Sequence, residues 1–248
     1  MSINKNTPLL YVENLRFRWP SGHWDIVDIP ELSIQKGERV FIKGDSGSGK
    51  TTLLSLVGGI NRPNYGRINI LGTDIGELKQ SNRDQFRADH IGFIFQLFNL
   101  IPYLSVIENI TLACEFSSRR KAKALIKSRS LEEEAYRLLS HLQLGNRGLL
   151  TKPVSDLSVG QQQRVAVARA LIGSPELIIA DEPSSALDTN TREHFISLLL
   201  SECEHSGSTL LFVSHDEGLE KSFDRCIHLS QLNKVDKRSK NRQLEYVS

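Results

Sequence analysis

The chain has 248 residues, 39% of them hydrophobic, with 31 Lys and Arg against 29 Asp and Glu for a formal net charge of +2. That length buries a full core as one large α/β domain, or one domain carrying a subdomain. So near-neutral a balance argues against a nucleic-acid binder, which presents a strongly basic face. The three cysteines, Cys114, Cys203 and Cys226, are far apart, odd in number and without a CxxC pair, and read as reduced, mostly buried thiols of a cytosolic protein.

In chain order, the polar segment Met1 to Thr7 does not read as a signal peptide. Leu9 to Phe17 alternates as a half-buried strand, Trp24 to Ile34 gives a second, and Gln35 to Glu38 a turn. Arg39 to Lys43 is a short buried strand. It runs into Gly44-Asp45-Ser46-Gly47-Ser48-Gly49-Lys50-Thr51-Thr52 and then an apolar helix to about Gly58. Strand, Gly-x-x-x-x-Gly-Lys-Thr, helix is the context of a phosphate loop. Its glycines let successive N–H groups close on a phosphate, and the helix starting near Gly49 adds its positive end. Lys50 would reach the β- and γ-phosphates, and the Thr51 hydroxyl suits a Mg²⁺ ligand. The chain is therefore expected to bind a nucleoside triphosphate.

Arg67 to Gly72 reads as a strand, Ser81 to Asp89 as a polar helix capped by Ser81, and Ile91 to Phe95 as a buried strand. His90 to Ala113 is apolar enough to resemble a membrane span, but Gln96, Asn99, Pro102, Glu108 and Asn109 interrupt it. A soluble chain is expected, with any membrane spans supplied by another polypeptide. Val106 to about Leu144 is helical in pattern. Its basic stretch, Arg119 to Arg129, reads as a solvated face, with contact to anionic headgroups or a partner as the sharper alternative. Ser158 caps a helix from Gly160 to Leu171. Leu177 to Ala180 is a continuous apolar strand, Thr189 to Cys203 an amphipathic helix, and Thr209 to Ser214 and Arg225 to Leu229 are further strands. The polar tail, about 233–248, is expected to be flexible. Alternating strands and helices around a phosphate loop indicate a mostly parallel α/β core in a single domain, with the helical block at about 97–173 as an inserted subdomain.

Asp181 and Glu182 end a core strand beside the phosphate loop, where a metal-holding carboxylate and a general base are needed. Ser158 and the start of its helix make a second anion site. One chain thus offers two phosphate-binding helix ends, too many for one nucleotide. A two-fold, head-to-tail pairing resolves this.

Leu157-Ser158-Val159-Gly160-Gln161-Gln162-Gln163-Arg164 resembles the signature motif of ATP-binding-cassette (ABC) ATPases, with Val159 where that family usually has glycine. The resemblance extends from about Leu9 to Leu229 and implies the P-loop NTPase core of that family, with an antiparallel β edge. It implies that Gln96 is the glutamine that senses Mg²⁺ and water, and that Ser185 to Asp188 form the loop crossing the dimer interface. His215 then contacts the γ-phosphate, Ser158, Gly160 and Gln161 reach the nucleotide of the other copy, and Trp19 stacks on adenine, with Phe17 and Trp24 as competitors. Within the family, Phe93 to Pro102 and Gln161 to Val165 look most like the macrolide-export, lipoprotein-release and FtsE-like ATPases.

The expectation is an ATP-hydrolysing motor subunit using ATP and Mg²⁺. It would work as a homodimer, or paired with a second ATPase, with two ATP at the interface. It would drive an integral membrane permease from the cytoplasmic face of the inner membrane. An amino-acid-type importer and a soluble ABC ATPase without transport remain the alternatives. A phosphate-loop kinase or GTPase would not need Ser158 to Gln161.

Overall fold

The computed structural model of the protein describes residues 7–235, apart from 186 and 188 and the side chains of 189 and 190. Along the chain come β1 (Leu10–Phe17), β2 (Val27–Ile34), β3 (Arg39–Lys43), α1 (Lys50–Val57), β4 (Tyr65–Ile70), β5 (Thr73–Asp74), α2 (Gln80–His90) and β6 (Ile91–Ile94). Then follow α3 (Val106–Glu115), α4 (Ser118–Lys127), α5 (Leu131–His141), α6 (Val159–Leu171), β7 (Leu177–Asp181), α7 (Thr189–Ser206), β8 (Thr209–Ser214), β9 (Arg225–His228) and the short α8 (Leu229–Leu232).

These strands form two sheets. Strands β2, β1, β4 and β5, in that spatial order, make an antiparallel sheet, with Leu10 opposite both Ile34 and Ile70. The other sheet runs β6-β7-β8-β3-β9 and is parallel throughout. Its strands are apolar runs because both faces are covered. Phe41, Ile178, Ala180 and Phe212 face one core with α3, α5, α6 and α7. Val40, Ile42, Ile179, Leu211 and Val213 face the other, with α1 and the antiparallel sheet. Phe41 and Phe212 are fully buried and stack with centroids 5.9 Å apart, each contributing about 2–3 kcal/mol by leaving water.

The helical run between β6 and β7 is broken by serines. Ser105, Ser117 and Ser130 cap α3, α4 and α5 in turn, each accepting from a first-turn amide. Ser81, in contrast, does not cap α2. The helix starts at Gln80 after an uncapped Lys79, and buried Arg83 holds its first turn by donating to Gly59 O at 3.1 Å.

The basic stretch is only partly a solvated face. Arg120 is buried and caps the carboxyl end of α6, donating to Ala170 O at 2.7 Å, Ile172 O at 2.8 Å and Arg169 O at 3.1 Å. Burial lowers its pKa to about 10. Gly173, at φ 72°, makes this approach possible, since a Cβ there would stand 2.4 Å from Arg120 O. Beside it, Arg119 and Lys123 both reach Glu176 Oε1 at 2.8 Å, and His90 Nδ1 lies 2.9 Å from Oε2.

At the other end of the chain, β9 stops at His228 and Leu229 opens α8. The tail is tied down at its start. Asn233 is buried, accepting from Asp28 N at 2.8 Å and donating to Ile26 O at 2.9 Å. Residues 236–248 lie outside the described residues. Among the described residues, no helix is long and apolar enough to cross a membrane.

Candidate active site

Parallel pairing brings the carboxyl ends of β3, β7, β8 and β6 to one edge, where open α/β sheets place their ligands. From that edge emerge the loop Gly44 to Gly49, the pair Asp181 and Glu182, His215, and Gln96. Together with Ile26 they line a cleft of about 720 Å³. Asp45, Ser46, Gly47, Gly49, Lys50, Thr51 and Thr52 supply its loop side.

Gly49, at φ 98°, precedes α1 and offers no side-chain cap. Any side chain there would be strained, and its Cβ would meet Ile26 O at 3.2 Å. The first amides of α1 are thus left to an incoming anion. Gly44 and Ser48 of the same loop do not line the cleft, and a Cβ on Gly44 would come within 2.6 Å of Ser48 Oγ.

Lys50 is only 8% exposed. Its Nζ donates to Gly44 O at 2.6 Å and Asp45 O at 2.9 Å, and stands 3.2 Å from Glu182 Oε1. The other Glu182 oxygen lies 3.0 Å from Nδ1 of the exposed His215. Glu182 reaches both because it turns sharply out of β7, at φ 44°, in a region rarely adopted by non-glycine residues. Arg192 pairs with Asp216 and steadies the segment next to His215.

Thr51 Oγ1 donates to Asp181 Oδ2 at 3.0 Å. Burial raises the Asp181 carboxyl above its ordinary range, and the Thr51 hydrogen bond only partly opposes this. A half-buried carboxylate beside a hydroxyl and at the mouth of a phosphate loop fits a small, oxygen-preferring dication.

Besides Gly44 and Ser48, four expected nucleotide contacts do not line this cleft. Trp19 packs edge-on against Phe17, with centroids 5.0 Å apart, and is 42% exposed. It does not line the cleft, whereas Ile26 does. Ser158, Gly160 and Gln161 stand apart at the start of α6. There Ser158 N donates to Gln161 Oε1 at 2.9 Å and Ser158 Oγ accepts from Gln161 N at 3.4 Å. Val159 opens α6 and does not sit at positive φ. Ala186 and Asp188, in the expected interface loop, lie outside the described residues. Sequence reasoning missed Ile26, whose only signal is its place ahead of β2. It also missed Asn233, which lies 3.5 Å from Ser48 O, 185 positions away, and carries no local signal.

A phosphate loop feeding a helix, with a carboxylate pair and a histidine on neighbouring strand ends, defines a P-loop nucleoside triphosphatase. The family model described as ABC transporter matches residues 27–185. The lipoprotein-releasing system ATP-binding protein LolD of Porphyromonas gingivalis is 39% identical over 223 residues, covering 89% of this chain and 96% of its own. The macrolide export ATP-binding/permease protein MacB of Burkholderia thailandensis is 37% identical over 90% of this chain, which spans 33% of MacB. Among solved structures, a dimeric post-hydrolysis state of the ATP-binding cassette MJ0796 bound to ADP and Pi superposes with a TM-score of 0.75. It is 34% identical, covering 92% of this chain and 97% of that one. The chain belongs to the ABC transporter family and is one of its ATP-hydrolysing members.

Proposed function

We propose that this chain is the motor subunit of a transporter in which two cassettes close head to tail over two ATP molecules and drive a separate membrane permease of the lipoprotein-release or macrolide-export kind. One observation carries the pairing. The cleft holds Lys50, Thr51, Asp181, Glu182 and His215, while Ser158 and Gly160 stand at an exposed helix start outside its lining. A second copy, or a different ATPase, would bring that helix start over the bound triphosphate.

In this reading Lys50 exchanges its carbonyl partners for β- and γ-phosphate oxygens. Thr51, Asp181 and Gln96 would hold Mg²⁺, and the ion when bound would supply Lewis-acid neutralisation of phosphoryl charge. Glu182, released from Lys50, orients and deprotonates the attacking water. His215 holds Glu182 from one side and faces the γ-phosphate from the other. Trp19 would stack on adenine from outside the present cleft lining.

For the permease, the surface next to Gln96 is suited to a docking helix. Leu97 is 83% and Phe116 66% exposed. Phe116 edges a depression of about 220 Å³ lined with Phe93, Phe95 and Leu112. Exposed apolar groups gathered at a concavity mark an interaction site. Held through such a partner, the chain would sit at the cytoplasmic face of the inner membrane.

The test is Glu182→Gln. With ATP and Mg²⁺ it should elute as a dimer and turn over roughly 100-fold or more slowly than wild type. A variant that binds ATP normally yet stays monomeric would overturn the paired site.

A further inference from the structure

Away from the nucleotide cleft, the edge strand β9 carries Cys226 and His228 two positions apart, so both side chains leave one face of the sheet. Pairing with β3 sets Cys226 beside Phe41 and His228 beside Lys43. Glu220 belongs to the 3₁₀ segment Glu217–Ser222 that leads into β9. One donor atom each from Glu220, Cys226 and His228 lie within 4.8 Å of one another, and all three residues are partly buried. None of them lines the nucleotide cleft.

We propose that Glu220, Cys226 and His228 form a binding site for a divalent cation of the zinc type. Thiolate, imidazole and carboxylate are the donors zinc takes, and three protein ligands leave a fourth, tetrahedral position for water. A sulfur and a nitrogen in the set select against Mg²⁺ and Ca²⁺, which want oxygen alone. In a tetrahedral site with bonds of about 2.0–2.3 Å, donor atoms stand about 3.3–3.7 Å apart. Side-chain rotation on an edge strand can close the remaining gap.

The neighbouring Lys43 is the obvious competitor for Glu220. Its Nζ lies 2.6 Å from Glu217 Oε1 and 3.2 Å from Glu220 Oε1. Yet Glu220 Oε1, shielded from solvent, receives no hydrogen bond of good geometry among the described residues. Glu217 can neutralise Lys43 on its own when the Glu220 carboxylate turns from Lys43 to the metal. Carboxylate and thiolate then supply two negative charges for one dication.

Calorimetric titration of Zn²⁺ into the full chain without nucleotide should show one equivalent bound. Glu220→Gln, Cys226→Ser and His228→Gln should each weaken it at least about tenfold, while Asp181→Asn leaves it unchanged. Co²⁺ should give a thiolate-to-metal charge-transfer band in the wild type and not in Cys226→Ser. Circular dichroism confirms that each variant is folded. No uptake at stoichiometric Zn²⁺, or uptake that survives Cys226→Ser and His228→Gln together, would overturn the site.

Discussion

The amino ends of α1 and α6 both follow small polar residues, Ser48 and Gly49 before one and Ser158 before the other, yet one is open and the other closed. Gly49 gives α1 no side-chain cap, and its first amides face a cleft that also holds Lys50. At α6, Ser158 and Gln161 cap each other and the helix start is already satisfied. An anion arriving at α1 gains the full interaction. One arriving at α6 gains only the difference from a cap that contributes about 1 kcal/mol. The first end is therefore built to bind nucleotide within a single chain. In the proposed pairing, the second would act only when a larger interaction, such as closure of two cassettes, brings the phosphate to it.

The largest effect that would break this comparison is expected from Ser158→Phe. If α6 completes the hydrolytic centre of another copy, turnover should fall about 100- to 1000-fold, as when a transition-state donor is removed. Binding of ATP to the monomer should not change, because Ser158 does not line the cleft. Lys50→Ala should instead weaken binding and turnover together. Equilibrium nucleotide binding set against steady-state hydrolysis separates the two. Full turnover in Ser158→Phe would place the whole reaction in one chain.

The far end of α6 sharpens the contrast in a different currency, stability. Arg120→Ala leaves three carbonyls, of Arg169, Ala170 and Ile172, without their charged donor. Losing such hydrogen bonds should cost on the order of 3 kcal/mol, read as a lower urea midpoint. The neighbouring Glu176 adds a pH dependence. Burial alone would raise its carboxyl, but hydrogen bonds from His90, Lys123 and Arg119 outweigh that and hold it well below its ordinary 4.5. For an acid whose folded value is depressed, the stabilisation is fully present above the unfolded value and is lost as pH falls below it. Glu176→Gln should therefore be destabilised at pH 7 by about 1.5–3 kcal/mol, with the gap to wild type narrowing as pH drops below 4.5. A gap that stays constant with pH would mean that the ion cluster does not hold α4 to the loop after α6.

What the sequence made legible follows the same division between local and distant. The phosphate loop, Asp181, Glu182, His215 and Gln96 sit at the ends of short apolar runs. Parallel pairing carries every such end to one edge, so reading the runs located the cleft. Arg120 looked like one more charge on a basic helix, because its partners lie about fifty positions away and only tertiary packing joins them. Asn233 was hidden for the same reason, spanning 205 positions to Asp28. Trp19 was placed by resemblance alone, and its edge-on packing against Phe17 depends on the β1–β2 turn rather than on any motif.

The smaller effects test how finished the α6 cap is. Gln161→Ala removes the reciprocal bond to Ser158 N, and should lower stability by about 1 kcal/mol. It also frees the helix start, so the affinity of the closed dimer for ATP should hold or rise even as the fold weakens. Loss of dimer affinity would mean that Gln161 itself contacts nucleotide. Val159→Gly is the least disruptive change. Val159 is 52% exposed, opens α6 and does not sit at positive φ. Restoring the glycine common in the family should then shift stability by no more than about 0.5 kcal/mol and leave turnover within about twofold of wild type. A marked rise in turnover would show that the second anion site needs a backbone freedom that valine denies it. The capped geometry of α6 would then be a resting state that the working dimer must leave.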